Sequence, residues 1–84
     1  MKFKELLELT GKYNKISLYL VSPQGSKPIA EPDWIEDIPK EQLEPYLDYF
    51  VIDVGAETDF NDTAYIDITI RKELIYDWNT LHTT

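Results

Sequence analysis

Isoleucine occupies every second position at Ile66, Ile68 and Ile70, with Tyr65, Asp67, Thr69 and Arg71 interleaved. Only an extended chain sends successive side chains to opposite sides, so Ala64–Arg71 reads as a strand with one apolar and one polar face. The same period recurs at 14–21, where Ile16, Leu18 and Leu20 alternate with Ser17, Tyr19 and Val21. It recurs again at 49–54, where Phe50, Ile52 and Val54 alternate with Tyr49, Val51 and Asp53. Both faces of the 14–21 strand are fairly apolar, which marks it as an inner strand. Three apolar strand faces need a covering layer. Residues 2–9 supply one: Phe3, Leu6 and Leu7 fall at i, i+3 and i+4 and share a helix face, and Gly11 is placed to cap it. The expected core joins Phe3, Leu6 and Leu7 to the three strand faces.

The connections follow from turn chemistry. Ser22-Pro23-Gln24-Gly25-Ser26 is a hairpin turn, with proline fixing φ and glycine easing the exit. The returning strand, 27–31, is flanked by Pro28 and Pro32. A proline donates nothing to a ladder, so this is an edge strand. Residues 33–48 read as one or two short helical turns, with Pro39 near a helix start and Pro45 preventing a single long helix. Trp34, Ile35, Ile38, Leu43 and Leu47 anchor them. The acidic stretch GAETDFNDT, 55–63, is the loop of a wide hairpin. Beyond Glu73, Leu74, Ile75 and Trp78 are expected to dock, and 80–84 to fray. The expected fold is therefore one α+β domain over 1–84, ordered α-β-β-α-β-β, with an antiparallel sheet packed against short helices.

Charge is distributed unevenly along this plan. Of sixteen carboxylates, twelve lie between Glu31 and Asp67, and the only basic residue there is Lys40. Eleven net negative charges thus fall in one stretch, out of a total of −8 for the chain. Residues 1–30 carry five lysines against Glu5 and Glu8. Such a field repels nucleic acid and anionic lipid and attracts basic surfaces. No apolar run approaches the length of a membrane span or a secretion signal, and cysteine is absent, so a cytoplasmic setting is expected.

Catalytic chemistry finds little support. The lone histidine, His82, stands two residues from Thr84, where nothing would hold an imidazole rigid. Asp53 and Asp67 lie on strands expected to pair and could couple as acid and base, but a domain this small rarely builds the water-excluding cleft such chemistry needs. Asp59-Phe60-Asn61-Asp62-Thr63 begins like a calcium loop. It then places Ala64 where the turn glycine belongs and Ile70 where the closing glutamate belongs. Glu57, Asp59 and Asp62 are the residues an irregular cation site would use. The glycines are isolated and cradle no phosphate. No cofactor, no resident metal and no enzymatic activity are expected.

The acidic block then carries the functional expectation. Duplex DNA bears one charge per about 1.7 Å of axis, and carboxylates at i and i+2 of a strand stand about 6.6 Å apart, close to the spacing of successive phosphates. One such row is Glu57, Asp59 and Asp62 with Asp53 and Asp67 on the neighbouring strands. A second is Glu36, Asp37, Glu41, Glu44 and Asp48. Trp34, Tyr46, Tyr49, Phe60 and Tyr65 lie among the acids and would supply the anchoring contacts that charge alone does not.

In type, the chain resembles the small acidic inhibitors encoded by phages and mobile elements, the anti-CRISPR and anti-restriction DNA mimics. The block EPDWIEDIPKEQLEPYLDY and the loop GAETDFND carry that likeness. The resemblance implies a non-enzymatic inhibitor that occupies the site where a nucleic-acid-binding enzyme holds DNA. The alternative is an interaction module, such as an adaptor, an antitoxin-like partner or a homodimer, using an apolar sheet surface around Tyr19, Val21, Val51 and Trp78.

Overall fold

The computed structural model describes residues 1–73. Helix α1 is Phe3–Thr10, followed by strand β1, Lys15–Ser22, and strand β2, Gly25–Trp34. A 3-10 turn at Ile35–Asp37, a short helix α2 at Lys40–Leu43 and a second 3-10 turn at Glu44–Tyr46 then lead to β3, Phe50–Thr58, and β4, Ala64–Arg71. The predicted docking of Leu74, Ile75 and Trp78, the predicted fraying of 80–84 and His82 all lie outside the described residues.

Each element has a local cause. The backbone N–H of Lys2 donates to Glu5 Oε1 at 2.9 Å, covering an orphan donor at the start of α1. Gly11, at φ 79°, ends the helix and donates to the Leu7 carbonyl at 3.1 Å. Ser22 pairs directly with Gly25, so Pro23-Gln24 forms a two-residue hairpin turn, and Gly25 takes φ 122°. The edge strand β2 is longer than 27–31 and runs through both Pro28 and Pro32 to Trp34. It can do so because its outer side needs no ladder. Its register against β1 slips twice, between Ile16 and Leu18 and between Leu18 and Tyr19.

The sheet has the order β2-β1-β4-β3. Both hairpins, β1–β2 and β3–β4, are antiparallel as expected, but β1 and β4 pair in parallel, Ile16 with Ile66 through Leu20 with Ile70. The sheet is therefore mixed rather than antiparallel, and a 3-10–α–3-10 run takes the place of the expected second helix. A parallel pair demands a long crossover, and the segment from Ile35 to Tyr49 provides it by crossing one face of the sheet.

That crossing, with α1, covers the core. Phe3, Ile16, Leu18, Ile68 and Ile70 are fully buried and join Ala30, Ile38 and Leu43 in one cluster. Leu6, Leu7, Leu20, Ile35, Leu47 and Ile66 pack against it. The β3 alternation differs from expectation. Val51 opposes Ile70 while Asp53 opposes Thr69, so Ile52 is an extra residue in a bulge. A one-residue slip exchanges faces. Tyr49 and Val51, not Phe50 and Ile52, therefore turn to the core. Phe50 opposes Arg71 on the other face, and Ile52 and Val54 are 38% and 49% exposed. Moving Val51 to the covered side also breaks up the apolar patch expected with Tyr19 and Val21. Residues before α1 extend the sheet here: Val51 N–H donates to the Met1 carbonyl at 2.9 Å and Phe3 N–H to the Tyr49 carbonyl at 2.8 Å.

Candidate interaction surface

With the helices on one side, the polar residues of β1, β3 and β4 line the opposite, uncovered face. Asp67 opposes Gly55 on β3 and Ser17 on β1, while Asp53 and Glu57 flank Gly55 two residues to either side. Asp53, Glu57 and Asp67 thus gather around the smallest residue of the strand. The Ser17 hydroxyl, buried at 2% exposure, donates to Asp67 Oδ1 at 2.6 Å. Asp53 and Asp67 are diagonal neighbours on an open face, on the order of 7–8 Å apart between Cα atoms. Asp67 is held by a serine, and the face has no wall to exclude water. The geometry of a coupled acid–base pair is not formed.

Four strand ends meet at one end of the sheet: the start of β1 at Lys15, the end of β2 at Trp34, the end of β3 at Thr58 and the start of β4 at Ala64. The β3–β4 loop is organised by Asp59. Its Oδ1 accepts the backbone N–H of Asn61 at 2.8 Å and of Thr63 at 3.0 Å. Its Oδ2 takes the Lys15 ammonium at 2.5 Å, with both side chains largely covered. Lys15, then the Thr63 and Asn61 amides, hold the Asp59 carboxyl below the usual carboxylate range. Asp62 closes the turn in the left-handed region, at φ 59°. The aspartate pattern that suggests a calcium loop therefore has a loop-building use, with the Asp59 oxygens already occupied. No cluster of cation-binding side chains is present among the described residues.

Of the five aromatic residues expected to anchor an interface, Trp34, Phe60 and Tyr65 lie at this end, whereas Tyr46 and Tyr49 pack against the core and meet edge to face at 5.2 Å. Phe60 stands fully in solvent, at 107% of the reference exposure, and Trp34 is 40% exposed. Lys15 Nζ lies 5.8 Å from the Trp34 ring centre. Pro32, Thr58, Asp59, Phe60 and Tyr65 line a shallow hollow of about 280 Å³. The Tyr65 hydroxyl is pushed up in pKa, first by burial and then by the charges of Glu57 and Asp67, with Tyr19 and Asp59 adding to the effect.

The second predicted row lies elsewhere. Glu36, Asp37, Glu41 and Glu44 are exposed on the crossing segment, which packs on the covered side of the sheet. The sheet therefore separates the two rows, and one flat contact does not reach both. Asp48 is drawn out of its row: Lys4 lies 3.1 Å away and Lys2 3.9 Å, and they hold its carboxyl below the usual range, the Lys4 hydrogen bond most strongly. Two acids absent from the expected site take its place. Glu31 and Asp33 are exposed on β2 and adjoin the crossing segment around Ile38, Pro39 and Gln42. The Gln42 side chain ties α2 to that strand by donating to the Ile29 carbonyl at 2.8 Å. Glu31, Asp33, Glu36, Asp37, Glu41 and Glu44 are exposed along β2 and the crossing segment, an acidic ridge with no ion pair among the described residues, although Lys12 and Lys40 line a hollow with Glu36 and Glu44. The signal that would have found Glu31 and Asp33 is the continuation of the edge strand through Pro32.

Comparison with protein-family models, curated proteins and solved structures finds no match for the chain. Among the described residues, no helix is long and apolar enough to cross a membrane.

Proposed function

We propose that this chain is a non-enzymatic inhibitor that binds a basic groove on a nucleic-acid-binding protein in the cytoplasm, in the manner of the phage DNA mimics. A host defence nuclease, such as a CRISPR effector or a restriction enzyme, is the partner class. The observation that carries this reading is the ridge of exposed carboxylates from Glu31 to Glu44, broken only by Lys40 and left without ion pairs among the described residues. Three of the N-terminal lysines are engaged elsewhere, Lys2 and Lys4 with Asp48 and Lys15 with Asp59, and Lys12 and Lys40, which line a hollow with Glu36 and Glu44, form no ion pair with them. A surface selected only for solubility has no reason to leave its densest acids without ion pairs. A surface that must meet a cationic groove does, because each local lysine would weaken the summed field that steers association.

The test is capture of partners from cells of the source organism on immobilised protein, eluted with a salt gradient. The expected partner is basic, is released early in the gradient and is displaced by its own DNA or RNA. A combined Glu36→Lys, Asp37→Lys and Glu41→Lys variant should lose at least tenfold in affinity, mostly in association rate. Glu5→Lys with Glu8→Lys should change little. Salt-independent capture that survives the triple reversal would overturn the mimic.

One observation favours the alternative, an interaction module. The outer edge of β3 beyond Val51 is unpaired among the described residues and carries exposed Ile52 and Val54. An apolar strand edge is a template for another strand. Ile52→Lys would abolish capture under that alternative and leave the mimic intact.

A further inference from the structure

The hollow beside Phe60 has a chemistry narrower than general acidity. A fully solvated phenylalanine gains nothing for the fold, and here it projects from a loop that is tightly built by Asp59. Beside it stand the faces of Tyr65 and Pro32, and Glu57 sits directly opposite Tyr65 on the same sheet face. The protein already shows what this end does with a cation. Lys15 is held between the Trp34 ring, at 5.8 Å, and the Asp59 carboxylate, at 2.5 Å. On the outer side Phe60 and Tyr65 supply rings that line the hollow, and Glu57, opposite Tyr65 at its margin, supplies a carboxylate not taken by Lys15.

We propose that this hollow anchors an arginine side chain of the basic partner, a role that rests on the inhibitor reading above. A guanidinium is planar and weakly hydrated, so it can lie on an aromatic ring while donating two hydrogen bonds to one carboxylate. An ammonium is compact and strongly hydrated and uses only part of such a site. The electrostatic complement is present: Glu57, Asp67 and Asp59 all bear on the Tyr65 hydroxyl. The anchor also lies at the one end of the sheet that Trp34 and Pro32 share with the ridge. A basic segment along the ridge can therefore end with an arginine in the hollow.

The experiment titrates hexa-arginine amide, and separately hexa-lysine amide, into isotope-labelled full-length protein at low salt, following backbone amide resonances. Shifts concentrated at Thr58, Phe60, Thr63 and Tyr65 are expected, with arginine binding tighter than lysine. Phe60→Ala should weaken arginine binding about three- to tenfold, and Glu57→Gln should act in the same direction; unchanged spectral dispersion shows that both variants fold. Shifts confined to Glu36, Asp37 and Glu41, with Phe60→Ala binding like wild type, would overturn the anchor and leave the inhibitor reading standing. Equal affinity for the two peptides, or binding of neither, would also overturn the anchor. The inhibitor reading fails separately, on salt-independent capture that the ridge reversal leaves intact.

Discussion

Replacing Ile68 and Val54 by alanine in parallel measures how burial differs across one β3–β4 pair, and Val51 and Ile52 then report the β3 bulge. The two residues oppose each other across β3 and β4. Ile68 is fully buried at the centre of the sheet, while Val54 is 49% exposed. Ile68→Ala removes three carbons from a site with no access to water. At about 0.8 kcal/mol per buried methylene that is about 2.4 kcal/mol of lost transfer energy. Leu18, Ile70 and Phe3 surround the site and are themselves fully buried, so the gap is not refilled by solvent and a cavity cost is added. A total of about 3–4 kcal/mol is expected, within the range for such changes. Val54→Ala removes two carbons that are about half solvated, so it should cost about 0.8 kcal/mol. Val51→Ala should cost more than Val54→Ala, because Val51 packs on the core. Urea unfolding at constant m-value provides the measurement. If Ile68→Ala leaves too little folded protein, Ile68→Val reads the same site at about 0.5–1.5 kcal/mol. Regular alternation through Phe50, Ile52 and Val54 would turn Ile52 rather than Val51 to the core, making Ile52→Ala the costly β3 change and Val51→Ala the cheap one. That ranking would refute the bulge.

Two further outcomes follow from the backbone and from the buried ion pair. Gly25→Ala should destabilise by about 1 kcal/mol or more, because φ 122° is strained for any side chain, whereas Gly55→Ala meets open space at ordinary φ and should be neutral or slightly stabilising in the same assay. The Asp59 carboxyl is held below its unfolded value, so its contribution is complete above about pH 4 and is lost as pH falls through the lower folded value. Asp59→Asn should therefore flatten the acid side of the melting-temperature profile below about pH 4 and leave the slope near neutrality unchanged.

Much of the architecture was legible because it is local. The α1 face, the Pro23-Gln24 turn and the strict alternation of Ile66, Ile68 and Ile70 are each written within a few residues. The parallel pairing of β1 with β4 is not, since the partners stand about fifty positions apart, as Ile16 and Ile66 do. The nearest hint was that both faces of β1 are apolar, as befits a strand between two others. The Ile52 bulge left no mark either, because Val51 and Ile52 are equally apolar and only the partner strand decides which turns inward. At the surface, the sequence sets Trp34, Phe60 and Tyr65 among the acids, but their meeting at one end of the sheet depends on the pairing of β1 with β2 and β4. The neutralisation of Asp48 and Asp59 was not legible, as their lysines come from the first fifteen residues.

Those three ion pairs change what the charge skew means. Along the sequence, a mildly basic stretch precedes a strongly acidic one, which suggests two poles. In space, three of the five early lysines are spent at joints: Lys2 and Lys4 fasten α1 to Asp48 ahead of β3, and Lys15 fastens β1 to the β3–β4 loop. The acids left over divide into the ridge beside β2 and the group around Gly55 on the uncovered sheet face. A groove that tracks a single nucleic-acid backbone can lie along one of these but not flat against both. The ridge holds more unpaired acids, and its Trp34 end leads to the hollow beside Phe60, whose Tyr65 stands opposite Glu57 of the other group. On the proposed reading, a partner that enters along the ridge and turns at Phe60 would engage both sets of charge, and in that geometry the Phe60 loop would decide specificity while the ridge would set the rate of approach.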